Sequence, residues 1–445
     1  MRSNRIYVNE AFVRRYPTLQ QTVLVHFGSW NKECKVVKRN SLPPGILGLS
    51  SHAVQGISLP PLTYRIVVRG RHLHLGPVLG LIGFKSGEKL TKQKLDTFKD
   101  YFGAYPRTKG LLLLCGADGI DLKNMKVRGY YYRPLVTKKH TWVPGTFPMP
   151  GALYRRAELS ETKYRSLSNA MGPRLFNGYF PGEHFDKWDL WNWLSPNEKL
   201  INHLPDTKLL DSLNSLDDML STYDAVYLKP TMENMSKGIV KVTRDSEKYE
   251  FLFPQNNKKP KAVSVRSMNE EQASEFIRKL IARKTYIIQQ AVDMKKHDRR
   301  AIDFRIILQK DESLAWSCTA MIARFGKKDG IITNFTNAGY AMYANEAFRK
   351  VFRYNESQIQ VKRNEILDIC LEACREFEAK GGNYADVGLD VMIDKQGKVW
   401  ILELNILPDH LLPLFAKKKR IYQKQIVKPL LYAHALIGFK RASRT

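Results

Sequence analysis

Apolar positions along this chain repeat with two periods, and the switch between them marks its organisation. Up to about residue 90 the repeat is that of short strands: runs at 22–27, 62–68 and 72–75 lie between Gly and Pro clusters. From about 91 the pattern is mixed. Residues 94–102 read as a helix, Gly110-Leu-Leu-Leu-Leu-Cys-Gly116 as a buried parallel strand, and 152–154 as a further short strand. From about 181 helices and strands alternate to the end. Helices are predicted at 188–204, at 269–283 (Ala273, Phe276, Ile277, Leu280 and Ile281 on one face) and at 366–377 (Ile366, Ile369, Cys370, Ala373, Cys374 and Phe377 inward). Strands are predicted at 225–230 and 286–292, with a hairpin of 304–310 against 314–323. These shifts divide the chain into a β-rich domain at 1–90, a small α/β domain at 91–180 and a larger α+β domain at 181–445, without an internal repeat.

The densest candidate chemistry lies in a second hairpin, Asp386-Val-Gly-Leu-Asp-Val-Met-Ile-Asp to Val399-Trp-Ile-Leu-Glu-Leu-Asn. A four-residue loop, 395–398, would set Asp394 opposite Val399 and Asp390 opposite Glu403. Residues two apart on a strand share a face, so Glu403 and Asn405 would point together, with Asp390 facing them. Two carboxylates and an amide oxygen are hard donors that suit Mg²⁺ bridging nucleotide phosphates. An ordinary wet hairpin face is the plainer reading, but charged residues in so apolar a strand ask for a reason. Lys229 ends its strand before Pro230 and the polar loop Thr231-Met-Glu-Asn-Met-Ser-Lys237-Gly238. A lysine there can reach phosphate as a point charge, and the loop can cover it with backbone N–H groups. Residues 286–292 offer a strand backbone that could meet an adenine edge. The glycine-rich run 75–84 before Lys85-Ser86 lacks phosphate-loop spacing, and His72 and His74 read as surface-facing.

Composition narrows the class. Lys and Arg number 72 against 43 Asp and Glu, a net charge of +29, which favours polyanionic company. The charge is scattered in short runs such as Lys417-Lys418-Lys419-Arg420, without a basic arm, zinc-finger spacing or aromatic RNA-binding signature, so nucleic acid is not the expected partner. Five sparse cysteines argue against a disulfide framework and for a reducing compartment. The N-terminus lacks a signal-peptide core, and the run 75–84 is about half the ~20 residues a spanning helix needs. The expectation is a cytoplasmic protein without a membrane span.

In order and spacing, these pieces resemble the ATP-grasp superfamily over residues 181–410. The phrases Leu73-His-Leu-Gly-Pro-Val-Leu-Gly, Tyr286-Ile-Ile-Gln-Gln, Asp303-Phe-Arg-Ile-Ile-Leu-Gln-Lys and Ile332-Thr-Asn resemble its YheC/YheD branch, endospore coat-associated proteins of spore-forming Firmicutes. The resemblance implies an ATP-grasp fold, two α+β subdomains sandwiching the nucleotide, behind a β-rich region and a small α/β pre-ATP-grasp domain. It implies ATP and Mg²⁺ (or Mn²⁺) as cofactors. Lys187, in Phe185-Asp-Lys-Trp, and Lys229, in Tyr227-Leu-Lys-Pro, match the phosphate-binding lysines; Lys237 and Gly238 fall in the phosphate-covering loop. Gln289, Gln290 and Val292 match the adenine-binding linker, and Asp303 the ribose-binding position. Arg324 and Asn334, with Arg305, line the implied reaction centre, and Asp390, Glu403 and Asn405 are the implied metal ligands. Three departures stand out: a glycine-poor loop at 233–238, Ala338-Gly339 for a double glycine, and Gly388 where many such ligases carry Arg. The implied activity is ATP-dependent ligation of a carboxylate to an amine or thiol through an acyl-phosphate, with an acidic peptide or cell-wall precursor as candidate substrate and spore-coat proteins as candidate partners. The competing readings are a non-catalytic coat component on a degenerate scaffold and a basic polyanion binder.

Overall fold

Strands form where the sequence alternates or runs apolar, and they assemble into four successive sheets among the described residues. The structure, a computed structural model, describes residues 3–132, 141–178, 186–233, 237–245, 248–254, 263–331, 333 and 339–439. The first sheet has strand order Gly48–Leu49, Arg5–Val8, Trp30–Lys38, Thr22–Phe27, His72–Gly76, Arg65–Arg69. Its inward residues, among them Ile6, Val23, Val25, Phe27 and Leu73, form one core. His72 and His74 are half-buried rather than fully surface-facing, stacked with His26 from the parallel neighbour strand.

The chain leaves this sheet at the cis Gly76–Pro77 bond and enters the second one directly as Val78–Phe84. That strand pairs in parallel with Leu111–Gly116 and with Ala152–Arg155. Every residue of Leu111–Gly116 is buried, as its unbroken apolar run predicts.

The third and fourth sheets carry the candidate site. The third has order Thr207–Leu209, Tyr286–Gln290, Ala225–Pro230, Val240–Asp245, Lys248–Pro254, Val263–Met268. One face packs on the helices Leu213–Thr222 and Glu270–Ile281 through Val226, Leu228, Ile288, Leu216 and Ile277. The fourth has order Tyr340–Tyr343, Trp316–Lys328, Arg300–Lys310, Asp386–Ile393, Val399–Asn405. The helix Glu356–Ala379 covers its apolar face with Ile366, Ile369, Cys370, Ala373, Cys374 and Phe377, the face predicted. The last helix, Lys419–Leu436, places Tyr422, Ile426, Leu430 and Ala433 against Leu79, Leu112 and Tyr154 of the second sheet. Gln309 of the fourth sheet donates to its Gln425 carbonyl at 2.7 Å.

Two expectations change in detail. The helix expected over 188–204 is two pieces, Lys187–Leu194 and Glu198–Ile201. Pro196 has no N–H to continue the first, and Asn197 caps the second. In the hairpin, Asp390 does pair with Glu403, but Ile393, and not Asp394, pairs with Val399. The turn is tighter than four residues: the Asp394 N–H donates to the Lys398 carbonyl at 3.0 Å, and its Oδ1 accepts from the N–H groups of Gln396 and Lys398. A bulge between Asp390 and Val391 makes up the difference.

Candidate active site

That bulge decides which side chains reach the site. Strict alternation would send Val399, Ile401, Glu403 and Asn405 to one face. The bulge adds Leu402 to the strand, so Val399, Ile401 and Leu404 enter the core beneath the long helix, while Glu403 and Asn405 turn to the opposite face. The Glu403 side chain makes no hydrogen bond or ion pair among the described residues. Burial and then the neighbouring Asp390 raise its pKa, against the pull of Lys187, Arg305 and Lys229. The Asn405 amide nitrogen is buried without a partner.

Two lysines converge on Glu403. Asp186 opens the helix Lys187–Leu194 with a capping box, accepting from the N–H groups of Trp188 (2.8 Å) and Asp189 (2.9 Å). Lys187 therefore sits in the first turn. Its Nζ donates to the carbonyls of Pro230 (3.3 Å), Thr231 (3.3 Å) and Glu233 (2.6 Å). Along Ala225–Pro230 the residues Val226, Leu228 and Pro230 are buried, and the alternation turns Tyr227 and Lys229 the other way. Lys229 Nζ donates to Gln289 Oε1 at 2.5 Å, and Gln289 Nε2 donates to Thr207 Oγ1 at 3.0 Å. Burial, and then Lys187, hold the Lys229 ammonium down to about 8, with Glu403 opposing. Burial also lowers Lys187, again against Glu403.

The Arg and Asp residues form a closed network. Arg305 stands opposite Asp390 on the adjacent strand and binds it through Nε and, at 2.9 Å, through Nη2. Arg324 reaches the same carboxylate at 2.9 Å and forks Asp303 with hydrogen bonds of 2.7 and 2.5 Å. Thr333 also donates to Asp303. Burial alone would raise Asp390; Arg305 and Arg324 outweigh it and hold the carboxyl below its ordinary range. Asp303 is 1% exposed and fully engaged, so it presents no free carboxylate to a ribose. Asp390 likewise arrives already neutralised. At Gly388 a Cβ would lie 2.9 Å from Pro408 and 3.1 Å from Arg305 Cδ, so the glycine leaves the space that Arg305 crosses.

The remaining predicted residues divide. Gln290 accepts from the Asp206 N–H at 3.2 Å and donates its own N–H to the Asp206 carbonyl at 2.8 Å. Val292 packs beside Met294, Ala301, Met392 and Trp400. Gly238, at φ 72°, and Lys237 line a cavity of about 310 Å³ with Pro230, Tyr286, Arg283 and Lys284, on the face of the sheet away from Lys229. The Glu233 carboxylate binds Lys284 there, turned from the lysine pair that its carbonyl helps to hold. Asn334 lies outside the described residues.

A buried network beside the site had no motif to announce it. Asp386, two positions from Gly388 and four from Asp390, shares their strand face. Its side chain accepts from Tyr154, Arg156 (3.3 Å), Gln309 (2.8 Å) and His410 (2.8 Å), and Tyr101 lies 2.8 Å from the other His410 ring nitrogen. Asn177 donates to the carbonyls of Asp386 and Ile406. The alternation Asp386, Gly388, Asp390 in an apolar strand was the available signal.

Residues 174–436, more than half of the chain, match the family model described as YheC/D like ATP-grasp. The protein belongs to that family. Its fold is therefore ATP-grasp, within a superfamily of ligases. It is 24% identical over 409 residues to endospore coat-associated protein YheD of Bacillus subtilis (strain 168), covering 88% of this chain and 86% of the relative. It is 20% identical over 224 residues to endospore coat-associated protein YheC of the same organism, covering 50% of this chain and 60% of that one. Among solved structures it is similar to D-alanyl-alanine synthetase A from Vibrio cholerae (12% identity, TM-score 0.45, 81% of this chain and 97% of that one). It is also similar to D-cycloserine synthetase DcsG (14% identity, TM-score 0.42, 79% and 99%). Among the described residues no helix is long and apolar enough to cross a membrane, and no group of three His, Cys, Asp or Glu side chains is placed to hold a metal ion.

Proposed function

We propose that the protein binds Mg·ATP and ligates a carboxylate to an amine or thiol, in association with the spore coat. The observation that carries this reading is the convergence of Lys187, Lys229 and the unpaired Glu403 from three separate elements of an ATP-grasp fold. Two ammonium groups lowered by burial, and Lys229 also by Lys187, gain most from an anion that neutralises both, and a triphosphate is such an anion. The coat association rests on the name of the YheD relative.

The donors present fit a divalent cation in part. The Glu403 carboxylate has no side-chain partner among the described residues, and the Asn405 side chain beside it offers an amide oxygen, its amide nitrogen being buried without a partner. Asp390 could join them only by giving up part of its arginine contacts. Held by Asp390, Glu403 and Asn405, Mg²⁺ or Mn²⁺ would neutralise charge on the nucleotide phosphates.

The residues of this chain then divide the work. Lys187 and Lys229 hold the phosphates, and Gln289 fixes the Lys229 ammonium in place. Gln290 and Val292 line the adenine side, and Asp303, engaged by Arg324 and Thr333, is not free for the ribose. A substrate carboxylate oxygen attacks the γ-phosphorus, the bond to the bridging oxygen breaks, and ADP leaves. Arg305 and Arg324 stabilise charge on the transferring group, with Asn334 as the further candidate from the sequence. An amine or thiol then attacks the acyl carbon and expels phosphate, losing its proton.

The network around Asp390 also favours a second reading, a non-catalytic coat component, because its carboxylate is saturated by two guanidinium groups. Calorimetry with Mg·ATP and phosphate release over a panel of amino acids, peptides and cell-wall precursors separate the two. Binding that is lost in both Lys187→Met and Lys229→Met supports the ligase site. No binding at millimolar nucleotide would leave the structural reading standing.

A further inference from the structure

We propose that the surface formed by Leu411, Leu414 and Phe415 with the adjoining basic run docks an acidic, apolar peptide segment of the substrate. The inference rests on the ligase reading above and names the class of its carboxylate substrate. Of the twelve exposed large apolar residues among the described residues, these three fall within five positions, at 49%, 39% and 56% exposure, and no other five-residue stretch of the described chain holds more than one. Single exposed apolar residues need no explanation, but a cluster does.

The cluster is fixed to the site. Leu412 and Ala416, between and beside the exposed residues, are buried against Ile307, Ala320 and Ile322. Ile322 pairs with Arg305, and Ile307 pairs with Gly388. Ile307 and Arg305 are two apart on one strand and share a face. The apolar surface therefore adjoins the arginine network where a substrate carboxylate has to arrive.

Its charge says what kind of chain fits. Lys417, Lys419 and Arg420 are exposed and make no ion pair among the described residues. Lys418 is held by Glu346 at 2.7 Å and lies over the Tyr343 ring. Asp409 is spent locally, its Oδ1 accepting the Leu411 N–H at 2.9 Å. Three apolar side chains and three unpaired cations within ten residues complement a peptide that carries large apolar residues among acidic ones. An anionic membrane would satisfy the same chemistry. The surface adjoins the arginine network, and a peptide brings its own carboxylate there, so the peptide is the occupant favoured.

The test uses the full chain and a fluorescein-labelled peptide alternating Glu with Leu and Phe. One control replaces Leu and Phe by Ser, and a second replaces Glu by Lys. The expected result is binding at least about tenfold tighter than to either control. It should be lost to a similar degree in Leu414→Ser/Phe415→Ser and in Lys417→Glu/Lys419→Glu/Arg420→Glu, with the thermal midpoint and the Mg·ATP affinity unchanged. Equal binding of all three peptides, or full binding by both variants, would overturn the proposal. So would vesicle binding to phosphatidylserine in preference to the peptide, or a dimer that the Leu414→Ser/Phe415→Ser variant abolishes. Peptide preference without any Mg·ATP binding would leave this surface standing and sink the ligase reading instead.

Discussion

Lys229 shows how a single burial sets a pH response. Its ammonium ionises near 8 in the folded protein, against about 10.4 for a free lysine. Nucleotide affinity should hold below that value and weaken as pH rises through it, because the free protein then lacks the charge the phosphates need. Calorimetry from pH ~7 to ~9 checks this, and Lys229→Arg, whose guanidinium keeps its proton, should give a flat profile. The stability sign is opposite. Between about 8 and about 10.4 the unfolded chain holds a proton that the folded chain has released, so this residue's contribution to stability rises with pH across that window. Asp390 is the second residue with a sharp expectation. It anchors two guanidinium groups, so Asp390→Asn should cost on the order of 3 kcal/mol in urea unfolding by leaving buried positive charge uncompensated. A loss under ~0.5 kcal/mol would mean the arginines have other partners.

At the level of elements, the bulge in Val399–Asn405 matters more than the turn before it. A shorter turn shifts the ladder by one residue, and the extra residue at Leu402 shifts it back. Val399, Ile401 and Leu404 thereby enter the core, and Glu403 and Asn405 turn to the opposite face, where Glu403 meets the lysines. Deleting Leu402 should force Glu403 toward the core beneath the helix Glu356–Ala379 or break the pairing of Asp390 with Glu403. We expect a lower thermal midpoint than in Leu402→Ala, together with lost Mg·ATP binding, both measurable on purified protein. Strand counting alone reached the Asp390–Glu403 pairing through a longer turn and no bulge. The two routes agree at that pair and differ at Val399, because bulges leave no reliable mark in sequence.

Across the whole molecule, Asp386 ties the second sheet to the fourth. Tyr154 and Arg156 come from one side, and Gln309 and His410 from the other. Burial would raise its carboxyl; His410, through charge and then a hydrogen bond, and the Arg156 guanidinium hold it below the ordinary range. Burial lowers the His410 pKa against the opposing pull of Asp386, and its two ring nitrogens lie within hydrogen-bond distance of Asp386 and Tyr101. A depressed carboxyl contributes stability that is complete above about 3.9, its unfolded value, and lost as pH falls through the folded one. Asp386→Asn should therefore be weaker than the native chain by about 3 kcal/mol at neutral pH, and the gap should close in acid. Unfolding curves at matched pH values measure it. A gap independent of pH would assign the loss to packing and not to charge.

The sequence by itself determined the local elements and the inventory of charged residues. Alternation and helical periodicity depend on near neighbours, so the buried strand at 111–116, the capped helix at 270–281 and the inward face of the helix 356–379 were legible in it. So was the pairing of Asp390 with Glu403, which needs only one hairpin. Tertiary structure decided which charges are free. Asp303 and Asp390 look equivalent to Glu403 in sequence, yet arginines from neighbouring strands consume the first two and leave the third facing Lys187 and Lys229. That outcome depends on register, on one bulge and on the space above Gly388, each set by residues far apart in the chain and by the burial that makes an unpaired charge costly.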